Sequence, residues 1–196
     1  MLEVRNLFKA LNGNEILKNI NLQFETGVYG LLGANGAGKS TLIKIMAGIS
    51  EPDSGERIAQ KDARIAYLPQ SGLVHSGCTL KEEADKAFDW GYEIQKKADT
   101  LGELLKSNPE NSDKIALEHS ELLAELENSG WYRREVLAEQ ILLGLGFERS
   151  DFTKRTEEFS GGWQMRIALG KALMVNPDIL LLDEPTNYLD IEARGW

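Results

Sequence analysis

Cysteine is nearly missing. Cys78 is the only one in 196 residues, so no disulfide can form within the chain, and the composition fits a reducing compartment. Histidine is scarce too. His75 and His119 stand alone, make no His/Cys cluster with metal-ligand spacing, and are expected as solvated surface residues. No apolar run approaches the ~20 residues of a membrane span. The opening Met1-Leu2-Glu3-Val4-Arg5 lacks the apolar core of a secretory signal, so a cytoplasmic protein is expected. Positive charge is in deficit: 22 Lys/Arg against 31 Asp/Glu give a net charge of −9. The deficit is local. Between Ser76 and Glu158 lie 19 of the acidic residues and 11 of the basic ones, which leaves the rest of the chain nearly neutral. That acidity argues against broad phosphate-backbone binding by this segment, and no DNA partner is expected.

What is present is a phosphate-cradling pattern. Gly33-Ala34-Asn35-Gly36-Ala37-Gly38-Lys39-Ser40 matches G-x-x-x-x-G-K-[ST] at every fixed position. Val28 to Leu32 reads as a buried strand before it, and Lys39 to Ala47 as a helix after it, stopped at Gly48. Strand, glycine loop and helix are the setting that the pattern needs. Glycines let backbone N–H groups turn inward around a polyphosphate, and the helix N-terminus adds partial positive charge. Lys39 is placed to reach the β- and γ-phosphates, and the Ser40 hydroxyl to hold Mg²⁺; Thr41 follows in the first helical turn.

Around this loop the chain reads as α/β. Leu2–Leu7 and Ile16–Phe24 read as strands joined by the turn Asn12-Gly13-Asn14, an antiparallel piece that precedes the core. Ser50 to Gly55 reads as a loop and Arg64 to Leu68 as a short strand ending at Pro69-Gln70. From Thr79 the pattern is helical. Thr79-Leu80-Lys81-Glu82 fits a capping box. Apolar residues from Leu80 to Leu105 follow at mostly helical spacing until Ser107-Asn108-Pro109. A second helix runs to Asn128-Ser129-Gly130, and a third from Trp131 to Leu145. Two of these are expected to pair as an antiparallel hairpin. Excising Leu80 to Asn128 is expected to spare nucleotide binding, because no motif lies inside that stretch.

Two further pieces carry chemistry. Asp178 to Glu184 is an apolar run that ends in two carboxylates. At the carboxyl end of a parallel strand Asp183 can hold Mg²⁺ through water, and Glu184 can polarise an attacking water as general base. Ser160-Gly161-Gly162 places a hydroxyl and two glycines at a helix N-terminus, a second anion-binding arrangement, with Ser160 at the cap position.

The order of the phosphate loop, Leu68-Pro69-Gln70, Ser160-Gly161-Gly162, Ile179 to Glu184 and Leu189-Asp190 resembles an ATP-binding-cassette (ABC) ATPase over the whole chain apart from the helical insert. The resemblance implies ATP and Mg²⁺ as cofactors, held by Gly33, Asn35, Gly36, Ala37, Gly38, Lys39, Ser40 and Thr41. It implies Ser40, Gln70 and Asp183 as metal-site residues. Glu184 and Gln70 would be catalytic, Gln70 sensing Mg²⁺ and the attacking water. Ser160, Gly161 and Gly162 would contact the γ-phosphate bound by a second cassette, on the same full-length chain or in a homodimer, with Asp190 at the interface. The fold implied is that of a P-loop NTPase cassette: an N-terminal antiparallel β piece, a mostly parallel core sheet and an inserted helical subdomain. One domain would span 1–196, incomplete at its C-terminus before the switch histidine, with 76–158 as the helical insert.

Finer features resemble the ABC-F family: Trp163 after Ser-Gly-Gly with Met165-Arg166, Glu184-Pro185-Thr186-Asn187 with Leu189 to Ala193, and Gly130-Trp131 leading to Leu143-Gly144-Leu145-Gly146. The 90 positions between Gln70 and Ser160 would hold the extended arm of a first cassette. That implies a soluble translation factor with a ribosome, rRNA or tRNA partner. Val28 to Gly33 is also similar to some exporter cassettes, so the ATP-binding subunit of an ABC transporter, with a transmembrane partner, is the alternative. A chromosome-maintenance ATPase would need a far longer coiled coil than this insert, which Pro109 and Gly130 interrupt. Tyr188 stands where ABC-F sequences commonly have His. The position that stacks on adenine in many cassettes aligns with Leu11, and Phe8 is a weaker candidate.

Overall fold

A computed structural model describes residues 1–31, 33–34, 36–61, 63–70, 76–107 and 112–183. Leu2–Leu11 (β1) and Asn14–Phe24 (β2) form an antiparallel hairpin. Its turn has positive φ at both Asn12 (52°) and Gly13 (80°), the I′ geometry that follows the twist of the strands. Both strands run longer than the apolar pattern predicts. Ser54–Ala59 (β4) pairs antiparallel with the other edge of β1. It begins inside the stretch expected as a loop. Ser-Gly-Glu-Arg conceals a strand because only its last three residues are half-buried and its apolar periodicity is weak.

Gly27–Leu31 (β3), Ile65–Leu68 (β5) and Ile179–Asp183 (β6) form a parallel sheet in the order β3-β6-β5 among the described residues. The central strand β6 is buried on both faces, as its run of apolar residues requires. β3 is different from the buried strand expected: Val28 is 65% exposed. It pairs with β6 on one side only, so it is a sheet edge among the described residues.

Side chains alternate along β6, and that alternation builds the layers. Ile179 and Leu181 join the core with Leu42, Ile43, Ile45 and Met46 of the helix Lys39–Met46 (α1), and with Leu2, Val4 and Leu7 of β1. α1 therefore lies between the two sheets. Leu182 faces the other way and packs with Leu68 against Met165, Ala168 and Leu169 of the helix Gly161–Met174 (named α6 below).

The segment between is helical: Leu80–Asp85 (α2), a 3-10 turn over Lys86–Phe88, Asp89–Ser107 (α3), Ser112–Asn128 (α4) and Arg134–Gly144 (α5) precede α6. Thr79 caps α2 as expected. Glu82 N–H donates to its Oγ1 (3.2 Å) and Thr79 N–H donates to Glu82 Oε2 (2.7 Å). The single run expected from Leu80 is broken by the 3-10 turn. α3 and α4 pack as an antiparallel pair, with Lys97 and Glu118 3.2 Å apart. His119 is half-buried rather than fully solvated, with Nε2 against Gly102. His75 lies outside the described residues.

The entry and return of this segment lie side by side. Leu80 N–H donates to Lys154 O (2.9 Å) and Thr156 N–H to Cys78 O (3.0 Å). Leu80, Ala84, Phe88, Leu126, Trp131 and Leu142 share a core with Ile167 and Met174 of α6. Excising Leu80 to Asn128 would remove Leu80, Ala84, Phe88 and Leu126 from that core. Among the described residues, no helix is long and apolar enough to cross a membrane.

Candidate nucleotide site

The parallel sheet brings its carboxyl ends to one place. Leu31 of β3 pairs with Asp183 of β6, and Leu68 of β5 with Leu182. The phosphate loop leaves from the first strand, and Gln70 follows two residues after the third. Loops leaving the carboxyl ends of adjacent parallel strands form a crevice suited to ligands.

Stereochemistry shapes the loop. Gly36 and Gly38 have φ of 81° and 80°, the left-handed region that L side chains disfavour. At Gly38 space is decisive as well: a Cβ there would lie 2.5 Å from Ile16 Cγ2 and 3.2 Å from Ile16 O. The start of β2 is thus pressed against the start of α1. Gly38 is the cap residue of α1, whose first turn carries Lys39, Ser40 and Thr41. Ala37 N–H donates to Ala34 O (3.2 Å), and Lys39 Nζ donates to Gly33 O (2.8 Å) and Ala34 O (2.9 Å). The ammonium group lies folded over the loop that carries it.

Asp183 is buried and continues the face of Ile179 and Leu181, the face that α1 covers. That is why Ser40 meets it. Ser40 Oγ donates to Asp183 Oδ1 (3.1 Å), across 143 positions of sequence. Tyr67 reaches the same carboxylate, with its hydroxyl 3.5 Å from Oδ2. Burial, and then the Asp183 charge, push the Tyr67 phenol up to about 12, so it stays protonated near neutral pH. Tyr67 escaped the sequence reading. Its available signal was position: it lies on the α1-facing side of β5, one residue short of the strand end.

Two cavities open here. One of about 400 Å³ is lined by Gly36, Gly38, Lys39, Ser40 and Thr41, together with Gln70, Leu11 and Ile16. The other, about 880 Å³, shares Ser40 and Gln70 and adds Asp183, Tyr67, Lys44 and Lys171. Leu11 lines the smaller cavity; Phe8 is 40% exposed and lines neither. Ile16 was missed, because its place depends on the β2–α1 contact.

Ser160, Gly161 and Gly162 are exposed and line neither cavity. Ser160 has the extended backbone of a cap, but its side chain makes no capping hydrogen bond. Asn35, Glu184, Asp190 and Tyr188 lie outside the described residues. Among the described residues, no group of three His, Cys, Asp or Glu side chains could hold a metal. The donors that do meet, one buried carboxylate and one hydroxyl beside a phosphate loop, fit Mg²⁺, which keeps several waters and shares substrate phosphate oxygens.

The family model described as ABC transporter matches residues 17–187. The chain belongs to the ABC transporter family. Its relatives include "ABC transporter F family member 2" of Arabidopsis thaliana, 39% identical over 202 residues that cover 98% of this chain and 29% of that protein. They also include "Energy-dependent translational throttle protein EttA" of Escherichia coli K12, 38% identical over 182 residues, 92% of this chain and 32% of that protein. The chain thus spans about a third of these relatives. Among solved structures, an ATP-binding subunit of an ABC transporter superposes with a TM-score of 0.69 at 21% identity, covering 99% of this chain and 70% of that one. A dimeric bacterial ABC transporter cassette gives 0.64 at 22% identity, covering 99% and 78%. These two establish the fold, an α/β ABC cassette.

Proposed function

We propose that this cassette binds Mg·ATP and hydrolyses it as part of an ABC-F type factor acting on translation. The observation that carries the reading is the Ser40–Asp183 hydrogen bond beside the glycine loop. It joins the phosphate cradle to a buried carboxylate at the end of the central strand. Gly33 to Thr41 would hold the phosphates, with Lys39 turning from the loop carbonyls to the β- and γ-oxygens. Ser40 and Asp183, with Gln70, would hold Mg²⁺, which when bound neutralises charge on the phosphates. Glu184, next in sequence to Asp183, would orient and deprotonate water. The exposed first turn of α6, with its unused Ser160 hydroxyl, suits a phosphate presented by a second cassette, with Asp190 at that contact. The domain would comprise 1–196, with 76–158 as the helical arm bearing on a ribosomal or tRNA partner, in the cytoplasm. Identities of 38–39% to an F family member and a translational throttle protein favour this reading, whereas the likeness to transporter subunits is one of fold at 21–22% identity.

Calorimetric titration tests the cradle. Lys39→Ala should weaken Mg·ATP binding by about two orders of magnitude or more, since it strips a charged partner from the phosphates. Equal affinity in a folded variant would overturn the assignment. In the whole protein that carries this chain, Glu184→Gln should bind ATP, lose hydrolysis and co-sediment with ribosomes in ATP, because the amide keeps the shape and loses the base. Hydrolysis at the wild-type rate would move the base elsewhere; ATP-independent absence from ribosomes would sink the translation reading.

A further inference from the structure

We infer that Tyr67 is a positioning residue for the metal: its hydroxyl holds the second oxygen of Asp183 and so fixes the plane in which the carboxylate meets Mg²⁺. This rests on the reading of Asp183 as a metal-site residue and carries it one strand further. The register of the parallel sheet makes the contact. Tyr67 of β5 pairs with Leu181 of β6, and Asp183 lies two residues beyond Leu181. Side chains two apart on a strand share a face, so Tyr67 and Asp183 both stand on the side that α1 covers. The tyrosine ring spans that diagonal, and its hydroxyl comes to 3.5 Å from Oδ2, a long hydrogen bond. The two oxygens of Asp183 are thus treated differently. Oδ1 accepts from Ser40 at 3.1 Å, and Oδ2 faces the phenol. Asp183 is 4% exposed, so its orientation is set by these protein donors far more than by bulk water.

The chemistry of the partner matters as much as its place. A lysine on Oδ2 would neutralise the carboxylate and compete with the cation. A phenol is neutral at pH 7 and donates a single hydrogen bond, so it orients the carboxylate and leaves its charge for the metal. Lys86 and Lys171 line the cavity that contains Asp183 and Tyr67, and both donate to the buried Glu83. Their charge is thus met away from the metal carboxylate. Mg²⁺ demands near-ideal octahedral geometry, whereas Ca²⁺ accepts more oxygens in flexible arrangements. A carboxylate held in one orientation therefore serves Mg²⁺ more than Ca²⁺. Hydrogen-bond partners of metal-site side chains are worth about 10- to 100-fold in metal affinity. The long contact at Oδ2 places Tyr67 at the lower end of that range.

Calorimetric titration of the 196-residue chain with ATP, in EDTA, in Mg²⁺ and in Ca²⁺, tests this. The readout is the gain in ATP affinity that each cation gives over EDTA. Each chain is its own reference, because the gain is a ratio of its own affinities. Tyr67→Phe keeps the ring that packs on the core and removes the hydroxyl. It should cut the Mg²⁺ gain by about tenfold and the Ca²⁺ gain by less than about threefold. A residue that only packs would move neither gain. A Mg²⁺ gain within about twofold of wild type, or larger than wild type, overturns the inference, as does an equal loss for both cations. Asp183→Asn separates this inference from the reading beneath it, since it should cut the Mg²⁺ gain further than Tyr67→Phe does. A Mg²⁺ gain untouched by Asp183→Asn would refute the metal role of Asp183, and this inference with it. A wild-type chain that binds no ATP would refute the cradle itself, and both with it.

Discussion

The helical segment treats charge in opposite ways at its root and along its hairpin. At the root, Glu83 of α2 is fully buried. Its Oε2 accepts from Lys86 Nζ (2.7 Å), its Oε1 accepts from Lys171 Nζ of α6, and the Cys78 thiol donates to it (3.4 Å). In the hairpin, Lys97 of α3 meets Glu118 of α4 with side chains 61% and 46% exposed. The root pair ties the start of the insert to α6. The hairpin pair joins two neighbours in water. A buried carboxylate has lost its hydration and depends on its partners; an exposed one can return to solvent at little cost.

The largest effect expected from that contrast is at Glu83. Glu83→Ala removes the anion from between two lysines and leaves a void under α2. Loss of one member of a buried pair costs about 3–5 kcal/mol, and partial exposure of the lysines places this case toward the lower end. Urea unfolding of wild type and variant gives the number. A loss below about 1 kcal/mol would show that root and hairpin do not differ in kind.

The nucleotide site lies between these extremes, with a buried carboxylate facing a neutral phenol. Burial and the Asp183 charge push the Tyr67 phenol up to about 12 in the folded chain, from an ordinary value near 10. Between those values the unfolded chain has released the proton and the folded one keeps it. The unfolded state then binds fewer protons, and stability falls as pH rises. The contribution of Tyr67 is complete below pH ~10 and is lost by pH ~12. Tyr67→Phe should remove that part of the slope. The check is the difference between wild-type and variant unfolding free energies across this window, in which lysine titration common to both cancels. A difference that does not change with pH would mean that neither burial nor the Asp183 charge raises the phenol's pKa.

How far these features could be read from sequence follows from how they are made. The phosphate loop was legible because left-handed backbone at Gly36 and Gly38 and a cation at Lys39 must be adjacent in the chain. The end of β6 was legible for the same reason, as four apolar residues followed by a carboxylate. The capping box at Thr79 and Glu82 is local and was read correctly. Ser40 and Asp183 meet across 143 positions, yet both belong to recognisable motifs, so their meeting could be expected. Glu83 and Lys171 are 88 positions apart and belong to none, and nothing in either neighbourhood distinguishes them from surface charges. β4 was hidden by its polar composition. The exposure of Val28 was hidden because an apolar strand reads alike at the centre and the edge of a sheet.

The smallest effect belongs to the hairpin pair, and it sharpens the contrast from the other side. Lys97 and Glu118 sit on antiparallel helices with most of Lys97 in solvent. Coulomb attraction at 3.2 Å is screened by water, and fixing two long side chains costs entropy. The single variants Lys97→Ala and Glu118→Ala and their double combination form a cycle from which the coupling can be isolated. A coupling of about 0.2–0.5 kcal/mol is expected in low salt, fading toward zero at about 1 M, where the Debye length is near 3 Å. Charge would then contribute little to holding the hairpin together. A coupling above about 2 kcal/mol that survives 1 M salt would instead make the hairpin pair energetically like the root, and exposure would no longer predict what a charge contributes in this segment.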